Sequence, residues 1–186
     1  TIAGGLAGIS IVASSVLNGG LTNTGLIDGG VGVTDSGTYT GAATGLYVAG
    51  TSTVTGGVTS SGTIAGGLHA IYVDSNSSLD SITITGNNTA SLLGDVHAEG
   101  TAFTVSGTFT PVNAIDVNSF DLLDGATLNM GLLPALTQDC QDGITVHEGV
   151  FRNAGTLALP SMSSSQRAKV NGDYVQTSTG VFRTAI

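Results

Sequence analysis

Residues 8–31 of this chain return at 45–68 with a constant offset of 37. Gly8/Gly45, Ser15/Ser52, Gly19/Gly56, Gly20/Gly57, Thr22/Thr59, Gly25/Gly62, Ile27/Ile64, Gly29/Gly66 and Gly30/Gly67 are identical, and Ile9/Leu46, Ile11/Val48, Leu17/Val54, Leu21/Val58 and Val31/Leu68 keep their apolar character. The opening Thr1-Ile2-Ala3-Gly4-Gly5-Leu6 recurs again as Thr63-Ile64-Ala65-Gly66-Gly67-Leu68. A chain that repeats itself in this way is a stack of similar units, each burying its apolar face on its neighbours.

The units are strands. Apolar residues two apart punctuate the chain: Ile9/Ile11, Val31/Val33, Leu46/Val48, Ile71/Val73, Ile82/Ile84, Phe103/Val105, Ile115/Val117, Leu128/Met130, Ile144/Val146 and Leu157/Leu159. That spacing puts both side chains on one face of a strand. No stretch carries the i, i+3, i+4, i+7 stripe of a helix, and Gly, Asn, Asp, Ser and Thr fill the intervals as turn formers. A meander of hairpins has no reason to repeat corner glycines together with core residues, whereas stacked coils do. The expectation is an all-β, parallel β-helix, a β-solenoid, with Ile9, Ile27, Leu46, Ile64 and Ile71 pointing inward. The landmark at Ile2, Ile27 and Ile64 recurs after 25 and then 37 residues, so the coils are unequal, with 32–44 as extra material. At roughly 20 residues per coil the chain makes about nine coils, a rod ~40 Å long at ~4.8 Å per strand.

Two stretches leave the coil path, Asn87–Ala90 and Leu132-Leu133-Pro134-Ala135-Leu136. The second is apolar enough to fold back on the rod or to meet a partner, and is the candidate contact loop.

Charge is scarce and lopsided. All four basic residues (Arg152, Arg167, Lys169, Arg183) lie in the last 35 positions, and twelve of thirteen carboxylates precede Arg152. The long acidic body is a poor surface for phosphate backbones, which sets nucleic acid aside as a partner. No apolar run is long enough for a membrane-spanning helix. The absence of a starting Met and of a signal-like segment reads as a piece of something longer.

Chemistry is sparse by motif. The single Cys140 lies among Asp139 and Asp142, which raise a thiol pKa, and reads as an incidental loop thiol. Asp28-Gly29-Gly30-Val31-Gly32-Val33-Thr34-Asp35 approaches a calcium repeat, but its carboxylate falls one residue late, on the wrong strand face. His69, His97 and His147 are too scattered in sequence to propose a site, and no nucleophile elbow or phosphate loop occurs. No catalytic residue, metal or cofactor is expected. A polysaccharide-active enzyme is the remaining catalytic alternative: Asp116, Asp121 and Asp124 are the densest carboxylates, but no cation precedes Arg152 to serve a lyase. Threonine pairs such as Thr22/Thr24, Thr83/Thr85 and Thr108/Thr110 are too irregularly spaced for an ice-binding lattice and read as outward β-formers.

From Phe151 the text changes: Asn153-Ala154-Gly155-Thr156-Leu157-Ala158-Leu159, then Val170-Asn171-Gly172-Asp173-Tyr174-Val175-Gln176, with Gly180-Val181-Phe182 following. This resembles the end of passenger domains in single-chain autotransporters of Gram-negative bacteria, where an N-x-GTL-x-L coil precedes a V-x-G-[DN]-Y-x-Q-x-x-x-G-x-[LF] segment that opens the autochaperone region. The resemblance covers roughly 150–186. It implies a right-handed β-helix displayed outside the cell, or secreted, by a C-terminal β-barrel, although neither a barrel nor an N-terminal protease or lipase domain is present in this chain. On that reading 1–150 are coils with loop excursions, and 151–186 are terminal coils plus a cap within the same continuous domain. Val170, Gly172, Asp173, Tyr174, Gln176, Gly180 and Phe182 form the cap, with Tyr174 covering the apolar edge. The function expected is a non-catalytic adhesive or structural rod. Its partner is a host or neighbouring-cell surface, or copies of itself in a self-associating filament.

Overall fold

A computed structural model describes residues 1–4, 6–29, 44–86, 91–159 and 168–184. Among the described residues the protein is all-β, with nineteen strands and no helix. Every strand pairing is parallel. The strands form one strongly curled 12-stranded sheet and two smaller sheets of three and four strands. A parallel pair cannot be closed by a tight hairpin, so each pass of the chain must travel away and return before it lies on the previous one.

The register shows what stacks. Ile9, Leu46, Ile71, Val96, Ile115, Ile144 and Val170 are successive partners. Leu21, Val58, Ile82, Phe103, Phe120, Phe151 and Tyr174 form a second ladder of the same depth. Ile2, Ile27, Ile64 and Leu92 form a third. Of the five residues expected inward, Ile27, Leu46, Ile64 and Ile71 are buried, and Ile9, on the outermost level of its ladder, is half-buried against the core. Val31/Val33, the calcium-like segment from Gly30, and the Asn87–Ala90 excursion lie outside the described residues.

Among the described residues the two long ladders have seven levels each, where about nine coils of 20 residues were expected. Partners are separated by as few as 17 residues (Phe103 to Phe120) and as many as 37 (Leu21 to Val58). Paired residues stay stacked while extra residues leave at the corners, as in 131–143 between the strands Thr127–Asn129 and Ile144–Asn153, and at register shifts within paired strands, as between Val117 and Phe120.

The repeated glycines have local causes. Gly20 and Gly57 adopt φ of 74° and 70° ahead of equivalent strands, where a side chain is strained. Gly8 and Gly45 sit where a Cβ would approach Ile27 and Ile64 within 2.7 and 2.6 Å. The offset of 37 therefore records both turn geometry and close packing.

The core is a file of side chains. Phe103, Phe120 and Phe151 stack at centroid distances of 5.0 and 4.7 Å, with interplanar angles of 11°. Tyr174 continues the file 5.6 Å from Phe151. Parallel in-register strands ~4.8 Å apart set this spacing, which is close to the favourable range for aromatic pairs.

The tail builds a further level instead of closing the file. Its strand Val170–Gln176 pairs with Ile144–Asn153, and Val181–Thr184 pairs with Thr156–Leu159. Tyr174 covers Phe151 from above yet is 43% exposed, and Phe182 is 54% exposed. An apolar hollow of about 460 Å³ opens at this end, bordered by Leu157, Leu159, Val170, Tyr174 and Phe182. Gly172, at φ 116°, packs on Val146, and a Cβ at Gly180 would meet the Asn153 carbonyl at 2.2 Å. Asn153, fully buried, donates from Nδ2 to the Tyr174 hydroxyl, to Gln176 Oε1 and to the Val181 carbonyl. Gln176 therefore holds the tail to the level below through Asn153, while Asp173, opposite Val150, is exposed.

Candidate functional site

Each inward apolar pair leaves one outward residue between its members. On one face of the curled sheet those residues make the rank Ser10, Tyr47, Tyr72, His97, Asp116, Thr145, Asn171. Tyr47 stacks on Tyr72 at 5.5 Å, and Tyr72 on His97 at 5.1 Å. His69 meets the edge of Tyr72 at 5.0 Å and lies 6.4 Å from the His97 ring. His147 hydrogen-bonds through Nε2 to Asp116 Oδ1 and stands 3.9 Å from Glu99. His97 and His147, far apart in sequence, line one cavity, and buried His69 lies against the rings of Tyr72 and His97. Register, not sequence interval, decides which of these side chains are neighbours.

The long loop 131–143 packs against this part of the sheet. Asp95, fully buried, accepts hydrogen bonds at Oδ2 from the Leu136 and Thr137 amides at 2.8 and 2.9 Å and from the Thr137 hydroxyl at 3.0 Å. The Ala114 and Gly143 amides donate to the Pro134 and Leu133 carbonyls, and Asp142 Oδ1 accepts from the Ala135 amide. The loop therefore folds back on the body. Leu133 is turned into the core, so it is withdrawn as a contact residue, whereas Leu132 and Leu136 remain exposed.

Cys140 is carried inward by the same loop. It is buried, with Sγ donating to the Val96 carbonyl at 3.6 Å. Burial pushes its pKa up to about 12, and the Asp95 and Asp116 carboxylates add to the rise. Asp116 is buried although it faces outward from the strand, and burial raises its pKa against the opposing His147 contact. Burial also raises Asp95, opposed by its hydrogen bonds from Leu136 and Thr137. His69 is held down to about 4 by burial and then by His97, with Asp139, 4.0 Å away, acting in the other direction.

A cavity of about 530 Å³ is lined by polar side chains that include Asp74, Ser77, Ser78, His97, Glu99 and His147. Two sets of three potential metal ligands share Asp116: His97–Asp116–Cys140 and Glu99–Asp116–His147, each with its donor atoms within 4.8 Å of one another. The acidic trio weighed for hydrolysis is split. Asp116 serves His147, Asp121 pairs with Arg152 at 2.7 Å, and Asp124 is exposed.

On another face, Thr22, Thr59, Thr83 and Thr104 are in register and continue into Asp121 and Arg152. Their intervals in sequence are unequal, but passes of unequal length still place them in register. Ser81, Ala102 and Ser119 make the adjoining rank, and Gly57 lies against Ser81. The result is an uncharged strip of small side chains from Thr22 to Thr104, bounded by Asp121 and Arg152.

In comparisons with known proteins, no family model matches the chain, and no curated protein or solved structure matches it.

Proposed function

We propose that the chain is a right-handed parallel β-helix, part of an autotransporter-like passenger displayed outside a Gram-negative cell or secreted from it. It acts there as a non-catalytic adhesive or structural rod. The observation that carries this reading is the rank of Thr22, Thr59, Thr83 and Thr104, which sets hydroxyl and methyl groups in register with no charge among them to desolvate. Such a strip offers many weak, repeated contacts to a host or neighbouring-cell surface, and parallel packing keeps it rigid before contact, which lowers the ordering cost of binding. The all-parallel stacking and the match of Gly172, Tyr174, Gln176 and Gly180 to the tail pattern support the passenger assignment.

A second reading, end-to-end self-association, is favoured by a separate observation. Ile2, Leu6, Val12 and Val16 are exposed at one end of the stack, and Tyr174, Val175, Val181 and Phe182 at the other. Terminal strands with unpaired edges are ready to accept another strand.

Lysines placed on the strip test the first reading, because the outward positions tolerate them and the strip does not. The double variant Thr59→Lys/Thr83→Lys is expected to keep the wild-type circular dichroism and to lose most attachment to cells or matrix. Unchanged attachment would remove the strip from the account. Concentration-dependent sedimentation of both proteins to the same end-to-end species would transfer the function to the termini.

A further inference from the structure

We propose that Cys140, His97 and Asp116 form a binding site for a divalent transition-metal ion of the zinc class, which ties the loop 131–143 to the outer face of the curled sheet. The donor atoms of all three lie within 4.8 Å of one another. Cys140 and Asp116 are more than nine-tenths buried. Zinc–sulfur and zinc–nitrogen bonds of ~2.3 and ~2.0 Å set tetrahedral ligand atoms roughly 3.3–3.8 Å apart. The three groups therefore close by about an ångström around an ion, a movement within reach of side-chain rotation.

Polar satisfaction points to the same place. Four buried side-chain atoms among the described residues have no hydrogen-bond partner; one, His97 Nδ1, belongs to a proposed ligand, and His69 Nε2 and Asp95 Oδ1 are on residues next to it, the His69 ring 6.4 Å from that of His97. Native interiors seldom leave such atoms unmatched, and a bound ion is one of the accepted causes. His97 is directly among the proposed ligands, and Asp95 is its neighbour two residues back.

The donor set selects the ion. A thiol, an imidazole and a carboxylate suit zinc and its first-row neighbours, whereas magnesium and calcium require oxygen shells. Three protein ligands leave a fourth position open. His147 is a positioning residue: its hydrogen bond to Asp116 Oδ1 orients the carboxylate from the solvent side, as the partners of metal-bound carboxylates do. The second set, Glu99–Asp116–His147, is the competing arrangement. It is more exposed and lacks sulfur.

The test loads the chelator-treated full chain with Zn²⁺ or with Co²⁺. One equivalent is expected to survive gel filtration, and the melting temperature is expected to rise with Zn²⁺. Because Cys140 is the chain's single cysteine, a thiolate-to-cobalt charge-transfer band in the unmutated protein assigns the sulfur ligand without any variant. Cys140→Ser is expected to lose that band and His97→Ala to lose most binding. His147→Ala is expected to keep the band while affinity falls ~10–100-fold. Failure of the wild-type chain to retain either metal, or retention without the charge-transfer band, would overturn the site. Binding that survives Cys140→Ser but is lost in Glu99→Gln would place the ion on the competing set and overturn this one.

Discussion

Ile64→Asp is expected to abolish folding. Ile64 is fully buried between Ile27 and Leu92, its partners on the levels before and after. Its Cγ2 methyl lies where a Cβ on Gly45 would come within 2.6 Å, so the site has no room to hydrate a carboxylate. An aspartate there either stays charged in an apolar stack or takes up a proton at a cost of several kcal/mol. The lost packing adds ~2–5 kcal/mol more. A domain with about 5–15 kcal/mol of total stability does not absorb both. Far-ultraviolet circular dichroism and a thermal melt read the result directly. A variant with the wild-type spectrum and a cooperative transition would contradict the stacking of these three levels.

Phe120→Ala is the second large effect, with ~3–5 kcal/mol lost. Phe120 is fully buried and touches aromatic rings on both sides, Phe103 at 5.0 Å and Phe151 at 4.7 Å. Its removal opens a gap in a file that cannot collapse without breaking strand register. Tyr174→Ala, in the same ladder, is expected to cost less than half as much. Tyr174 has one ring neighbour and is 43% exposed, and Asn153 keeps Gln176 and the Val181 carbonyl when the hydroxyl is gone. Denaturant midpoints at unchanged slope measure the difference. Equal losses at the two positions would show that the tail is packed as tightly as the interior, and that the terminal level is closed.

The ladders were legible where a residue class repeats with its flanks. Ile27 and Ile64 share the glycines that follow them, and those glycines exist because turns and close approaches recur. The number of levels was not legible, because corner segments such as 131–143, and register shifts such as that between Val117 and Phe120, change the interval between partners. The polar cluster was missed for the same reason. His97, Asp116 and His147 are spaced 19 and 31 residues apart, which resembles no metal-ligand spacing, yet they meet because Val96, Ile115 and Ile144 are partners. A signal was available. Lining up Leu46/Val48, Ile71/Val73 and Ile115/Val117 brings their middle residues, Tyr47, Tyr72 and Asp116, into one rank. The weak apolar pair Val96/Ala98 adds His97 to it. Cys140 had no such signal, since a loop residue reaches its place through Asp95 holding the Leu136 and Thr137 amides. Leu133 shows the reverse error: its apolar run was legible, but which of the leucines turns inward depends on where that loop is anchored.

The central claim is that the passes lie one on another in register, as successive coils of a rod. Spin labels on the outward ladder test it most directly, in a Cys140→Ser background. Thr22, Thr59, Thr83, Thr104, Asp121, Arg152 and Val175 are successive partners on that ladder. At ~4.8 Å per level, labels at Thr22→Cys and Val175→Cys are expected ~29 Å apart, and labels at Thr59→Cys and Val175→Cys ~24 Å apart. Distances that grow by one strand spacing for each level support the stack. A separation between the end labels that falls well short of six spacings, or that does not change when one label moves from Thr22 to Thr59, would contradict it.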